Sequence, residues 1–343
     1  MRLAIVMSHA NRSMGGAVRD TMLARALNRH GVDARLWRIH AGTETEREAM
    51  LDGAVQASFC PSDNPQAIPH HQTSAALKAE LREFAPDVVL YKGMGYRVNV
   101  DTQAALPAAT RHGFIVGGGV TDPLLDGAAI VLGEYREQIL RSFPAHCAAE
   151  RAMVLPKYVD FAQAGRGRPV AAEAATFDIV NVGTFTEKRK NQGALLPMAA
   201  QHRIALVGAG PLMPPMRRGV PARMKERVSF LGRLPHPQVF EVLRQSRIMV
   251  HSSTMDGLPR ATIEAMACGV PVVALRSTID GGIPHGVAGL LVSDAALPHA
   301  AEMLLADDEL RIRMGRNARR FVERHHGEKA IEASAAEVLK ILG

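Results

Sequence analysis

Residues 251–275 read HSSTMDGLPRATIEAMACGVPVVAL, following the apolar residues Ile248, Met249 and Val250 that end a strand. Pro259 suits the first helical position, where its missing N–H costs nothing. Ala, Ile, Glu and Met then favour a helix that Gly269 can end in a left-handed cap. Residues 271–275 are short, apolar and rich in valine, as expected of a strand buried on both faces. Strand, loop, helix, tight stop and buried strand form one turn of a parallel α/β fold. Asp256 lies in the loop ahead of the helix, and Glu264 lies more than one turn inside it. A helix start offers free N–H groups and the positive end of the dipole, so it is an anion site with a carboxylate on either side.

The same alternation runs outward in both directions. Residues 3–7 predict a first strand, and a polar loop ending in Gly15 and Gly16 leads to a helix over 17–30. A glycine pair there lets backbone approach a ligand closely. Strands are expected over 32–39, 87–91, 113–116 and 130–132, and helices over 74–84, 102–111 and 134–142. Residues 43–71, polar with Pro61, Pro65 and Pro69, predict an irregular loop. Residues 162–175, rich in Gly, Ala and Arg, read as an interdomain linker. Beyond it come a strand over 177–182, the basic loop GTFTEKRKNQ over 183–192, a strand over 203–207 with its glycine turn, and a strand over 228–231. This pattern predicts two doubly wound parallel sheets facing each other across a cleft. The expected boundaries are 1–165 for an N-terminal domain and 166–327 for a C-terminal one. A last helix over 328–343 would pack back towards the first domain.

The 251–275 stretch resembles the signature of family 4 retaining glycosyltransferases of GT-B architecture. There, an acid–seven–acid motif continues as Glu-Ala-Met-Ala-x-Gly-x-Pro-Val-Val, supplied here by Glu264 through Val273. The first acid, usually Glu, is Asp256. The resemblance implies a donor site in the second half: Glu264 on ribose hydroxyls, Asp256 on a donor-sugar hydroxyl, and Gly257, Leu258 and Pro259 bringing backbone to that sugar. Gly232, Arg233 and Leu234 would lie beside the base. The family's Gly-Arg and Lys-Gly hold the diphosphate; here Thr184 replaces the arginine, and Arg189 and Lys190 stand near the lysine position. Lys190 would be the main phosphate contact, with Arg189 substituting for the lost arginine. Gly15 and Gly16 would face the same diphosphate. The histidine many relatives carry after the fourth long strand is missing from GGGVTDP (117–123). Asp122 is then a candidate beside the reacting sugar, against a turn residue opening the bend before Pro123.

Composition narrows the alternatives. A chain of 343 residues with 47% apolar and 22% charged side chains is an ordinary soluble protein of two domains. No apolar run is long enough to span a bilayer, and no secretion signal opens the chain. Cys60, Cys147 and Cys268 form neither a zinc pattern nor a disulfide framework, so a reducing cytosol is expected. Acidic and basic residues balance up to residue 165, so the net charge of +7 lies in the second half, as suits a phosphate-bearing ligand. With one Trp and four Tyr and no nucleic-acid motif, nucleic-acid binding is not expected.

The expected activity is retaining transfer of a sugar from a nucleotide-diphosphate sugar, UDP or GDP, to a hydroxyl of a glycan, glycolipid or small molecule. The expected setting is bacterial glycan or glycoconjugate assembly, in the cytoplasm or peripherally at the inner face of the membrane. No cofactor and no metal is expected, since no Asp-x-Asp motif is present. A catalytically impaired nucleotide-sugar-binding protein and a sugar-nucleotide epimerase stay as alternatives.

Overall fold

The computed structural model describes residues 1–7, 18–117, 121–276 and 282–343. The chain divides into two compact units: Met1–Tyr158 with Glu328–Gly343, and Val159–Gly327.

In the first unit, β1 (Arg2–Met7), β2 (Asp33–His40), β3 (Glu46–Met50), β4 (Val55–Pro61), β5 (Val88–Lys92), β6 (Arg111–Ile115), β7 (Ile130–Gly133) and β8 (Ala152–Val154) form one sheet. Its order is β3-β4-β2-β1-β5-β6-β7-β8, parallel throughout except for the β3–β4 edge pair. Leu3 to Val6 are fully buried because helices cover both faces. Helix α1 (Arg19–Arg29) packs on one face, and α2 (Ala75–Phe84) on the other. The Ser74 hydroxyl accepts from the Leu77 N–H at 3.1 Å and starts α2. Helices α3 (Arg97–Gln103), α4 (Arg136–Ser142) and α5 (Pro144–Ala148) complete the chain order. The closing helix, Glu328–Leu342, buries Ile331, Ala335, Val338 and Leu342 in the core that also holds α1.

Two expectations for this unit fail. Residues 43–71 are not an irregular loop; they hold β3 and β4, joined by a turn with Leu51, Asp52 and Gly53 at positive φ. The alternation Val55, Ala57, Phe59 inward with Gln56 outward was present, and the prolines that obscured it lie at or beyond the strand end. Helix α3 ends at Gln103 instead of running over 102–111, because Pro107 cannot donate in a helix interior.

The second unit contains α6 (Phe161–Ala164), β9 (Phe177–Val182), β10 (Ile204–Val207), α7 (Met213–Arg218), β11 (Val228–Gly232) and α8 (His236–Arg244). After these come β12 (Ser246–His251), α9 (Arg260–Ala267), β13 (Val272–Leu275), β14 (Gly289–Val292), α10 (Leu297–Ala306) and α11 (Asp308–His326). The sheet order is β11-β10-β9-β12-β13-β14, all parallel. Counted within the unit this is 3-2-1-4-5-6, the doubly wound order, with its switch point between β9 and β12. Residues 162–175 are packed structure, not a free linker. Arg311 donates to the Val170 carbonyl at 2.9 Å and Arg244 to that of Gln163, so the boundary falls at Tyr158–Val159.

Pro259 caps α9 from outside, with extended ψ, and the helix begins at Arg260. At its other end the Val270 N–H donates to Ala265 at 2.9 Å and the Gly269 N–H to Met266 at 3.0 Å, a Schellman stop with Gly269 at φ +80°. Helix α11 crosses this stop at Gly315, where a Cβ would lie 2.1 Å from the Gly269 carbonyl oxygen. Gly315→Ala is therefore expected to destabilise the protein by about 1–3 kcal/mol. Chemical denaturation reads this as a lowered midpoint; an unchanged midpoint would mean that the α9–α11 contact yields freely. Among the described residues, no helix is long and apolar enough to cross a membrane.

Candidate active site

Ligands of doubly wound sheets sit beyond the carboxyl ends of the strands at the switch point. In the second unit that point lies where β9 and β12 end. The loop after β9 passes through a short 3-10 turn, Lys188–Lys190, and Asn191 in the left-handed region. The loop after β12 is tied to it. The Thr254 N–H donates to the Arg189 carbonyl at 2.8 Å, and the Ser252 hydroxyl donates to the Lys190 carbonyl at 3.0 Å.

These ties bring Asp256 among cations. Lys190 Nζ lies 2.7 Å from Oδ1 and 2.9 Å from Oδ2, Arg189 reaches Oδ1 at 2.7 Å, and His251 Nε2 reaches Oδ2 at 3.1 Å. Burial by itself would raise the Asp256 carboxyl. Bonds from His251, Lys190, Arg189 and Ser253 outweigh it and hold the group far below the usual carboxylate range. Arg189 also pairs with Glu187, at 2.5 Å and 3.0 Å, and donates to the Met255 carbonyl. Bonds to Glu187 and then to Asp256 raise its guanidinium above its ordinary value.

Glu264, 4% exposed, projects from α9. His236 Nε2 lies 2.7 Å from its Oε1, and Arg260 Nε, one turn earlier on the same helix, lies 3.1 Å from it. Leu258 is buried in the core, so only backbone is available there, whereas Gly257 is exposed. Gly232 ends β11 at φ +70°, and its carbonyl accepts from the Gly208 N–H at 2.8 Å, tying the β10 and β11 turns together. Arg233 and Leu234 continue that bend, Arg233 exposed. Asp256, Lys190, Arg189 and the 232–234 bend thus all belong to this unit's carboxyl-end loops, and Glu264 to the helix that follows one of them.

Asp122 belongs elsewhere. Its Oδ1 accepts from the Leu124 N–H at 3.0 Å and its Oδ2 from the Gly95 N–H at 2.9 Å. Both oxygens anchor loops, as expected of a residue that opens the bend before Pro123. Gly15, Gly16 and Gly118, Gly119 lie outside the described residues.

Sequence reasoning missed His251 and His236, each a further partner to one of the two acids. The signal was a histidine closing an apolar strand and another opening a helix. It also missed the switch point of the first unit, where β1 and β5 end. There Asp20, fully buried on α1, is bonded by Lys92 from the end of β5, and Arg19 Nε lies 3.6 Å away. Arg19 further donates to the Val116 carbonyl at 2.8 Å and lies 3.6 Å from Glu134. A lysine closing the apolar run 88–92 was the available clue.

Comparison with known proteins fits this arrangement. Residues 176–307 match the model of the glycosyl transferases group 1 family. That stretch, within the second unit, is similar to group 1 glycosyltransferases. A stretch of 167 residues is 32% identical to N-acetyl-alpha-D-glucosaminyl L-malate synthase of Bacillus anthracis, covering 45% of this chain and 42% of that protein. Another of 218 residues is 29% identical to a putative colanic acid biosynthesis glycosyltransferase of Escherichia coli, covering 57% and 52%. The chain thus matches about half the length of these relatives. Among solved structures, sucrose-phosphate synthase from Thermosynechococcus elongatus has a TM-score of 0.76 at 18% identity, covering 100% of this chain and 99% of that one. Anabaena HepE in complex with UDP has a TM-score of 0.69 at 18% identity, covering 99% and 100%. That likeness is one of fold, two parallel-sheet α/β domains of GT-B type.

Proposed function

We propose that the protein transfers a sugar, with retention, from a nucleotide-diphosphate sugar to a hydroxyl acceptor. The observation that carries this reading is the cluster of Lys190, Arg189 and His251 around Asp256 at the switch point of the unit similar to group 1 glycosyltransferases. Leaving-group departure builds negative charge on the diphosphate and positive charge on the sugar. Lys190 and Arg189 supply fixed cations for the first. Both are held by Asp256, and a diphosphate at the start of α9 would compete for them with more negative charge than one carboxylate carries. Asp256, released in part, is then free to accept from a donor-sugar hydroxyl while His251 keeps its orientation. Glu264 accepts from the ribose hydroxyls, in place of or beside His236.

This reading needs no protein nucleophile and assigns no resident cofactor. The departing phosphate takes the acceptor's proton on the same face as the leaving group. The relatives' glycan and small-molecule chemistry, and HepE solved with UDP-glucose, support a UDP-sugar donor first and a bacterial glycan or small-molecule acceptor. Thermal unfolding with UDP, GDP, ADP, dTDP and CMP tests the site. Ligand at a hundredfold its Kd should add roughly 2.7 kcal/mol to the native state, selectively for one diphosphate, and Glu264→Ala should lose the effect. No stabilisation by any of the five would refute the donor site. Donor conversion without acceptor would favour an epimerase, and binding without any turnover an impaired enzyme.

A further inference from the structure

The sheet of the second unit ends at β11, which has β10 on one side and no strand on the other among the described residues. A groove of about 640 Å³ lies against this strand. Val228, Ser229, Phe230 and Leu231 all line it. Successive side chains of a strand point to opposite faces, so a groove touched by four residues in a row follows the strand's edge and not one face. An edge of this kind carries outward N–H and C=O groups without ladder partners. Val228, Ser229 and Phe230 keep regular register with Ile204, Ala205 and Leu206, so the edge is regular over three residues before the shift at Leu231.

The other wall is basic. Arg217 and Arg218 end α7, and Lys225 lies in the 3-10 turn Ala222–Arg227 that precedes β11. All three are exposed, none has an ion-pair partner among the described residues, and no acid lines the groove. Residues 217–227 hold five cations and one acid, a net +4 of the chain's +7. The carboxyl-end loops do not account for that excess, because Lys190 and Arg189 there are matched by Asp256 and Glu187.

The two walls together select the occupant. Pairing with a strand edge requires an extended polypeptide, and the wall of cations requires that its side chains on that side be acidic. A second copy of this chain would bring the same arginines and is repelled. A bilayer needs an apolar anchor, and no large apolar side chain between Met213 and Gly232 is exposed. A nucleic-acid strand needs an open ring to stack on, and Phe230, the groove's one aromatic residue, packs against the core.

We propose that this groove docks an acidic segment of another polypeptide, which adds to β11 as an outer strand and sets alternate Asp or Glu side chains against Arg217, Arg218 and Lys225. It goes beyond the transferase reading and does not require it. The strand residues that line the groove stop at Leu231, short of the 232–234 bend expected beside the donor base.

The probe is a fluorescein-labelled short peptide of alternating Asp and Val, titrated with the full chain and read by anisotropy. A second peptide of equal charge, its inner valines replaced by proline, lacks the N–H groups that strand addition uses. The expected result is saturable binding of the Asp-Val peptide, with no displacement by UDP. Binding should be about tenfold weaker for the proline peptide, and about tenfold weaker for Arg217→Gln combined with Arg218→Gln at unchanged Tm. No binding, equal affinity for the two peptides, unchanged affinity in the variant, or displacement by UDP would overturn the proposal. Tighter binding of a dT oligonucleotide or of phosphatidylglycerol vesicles than of the peptide would overturn it too. Should the double variant lower Tm, Lys225→Gln supplies the comparison. Thermal stabilisation by a nucleoside diphosphate, recorded on the same samples, separates the two readings. Stabilisation without peptide binding defeats this site alone, and peptide binding without stabilisation defeats the donor site alone.

Discussion

Lys190→Ala is expected to lower transfer from the nucleotide sugar by about 10²–10³-fold in kcat, the usual cost of removing one preorganised group that meets developing charge. The loss should fall on kcat more than on the donor's KM. The charge that Lys190 opposes grows as the sugar–phosphate bond breaks and is smaller in the bound ground state. Folding should be little affected. Asp256 keeps Arg189 at 2.7 Å and His251 at 3.1 Å when the lysine is gone, so no buried carboxylate is left bare. Lys190→Arg should recover part of the activity, since a cation is restored on a longer, planar head. Steady-state kinetics of the three forms decide the matter. A Lys190→Ala enzyme within a few-fold of the parent kcat would remove Lys190 from the diphosphate and leave it a structural partner of Asp256.

Asp20→Ala is expected to be the most destabilising single change at any acid of the first unit. Asp20 is fully buried, bonded by Lys92 and flanked by Arg19. Removing the carboxylate leaves those cations together in low dielectric, a cost of about 3–5 kcal/mol for a broken buried pair. In a chain of this size that lowers Tm by roughly 10 °C. A pH signature accompanies it. Burial would raise the Asp20 carboxyl, but Lys92, Arg19 and Arg38 more than offset this and hold it below its ordinary value of 3.8. A carboxyl depressed in the folded state contributes stability above its unfolded pKa. That contribution is lost as pH falls through the folded value. Denaturant titrations at pH 7 and near pH 3 should therefore show the parent losing more stability on acidification than Asp20→Ala. Equal losses, or an unchanged Tm at pH 7, would mean that Lys92 and Arg19 find other partners and that Asp20 is no keystone.

Much of this was legible before any coordinates. The run from Ile248 to Leu275 announced strand, loop, helix, Gly269 stop and strand, and the structure places β12, α9, its Schellman end and β13 there. That stretch is readable because each of its signals is local. Proline and glycine act through their own φ, and a strand buried on both faces shows as an unbroken apolar run. Asp256, Lys190 and Arg189 could be singled out as polar residues in loops, and Glu264 as the second acid of a recognisable motif inside the helix. The failures were non-local. Whether residues 43–71 formed a loop or a hairpin depended on whether β2 had an open edge to pair with, and β3, mostly charged, is a strand only because β4 lies beside it. Residues 162–175 looked like a linker by composition. Gly167 serves close packing instead: a Cβ there would lie 2.6 Å from the Ala267 carbonyl oxygen.

By itself, then, the sequence determined the alternation of strands and helices, the location of the acid–seven–acid motif, and the loop from which the two cations come. Only the tertiary structure decided what those charges do to one another. Lys190 and Asp256 are 66 residues apart in the chain, His236 and Glu264 are 28, and Lys92 and Asp20 are 72. Parallel strands bring their carboxyl ends to one edge of a sheet whatever their separation in sequence. The field at each carboxylate is set by groups a few ångströms away in space, and no pattern along the chain records that distance.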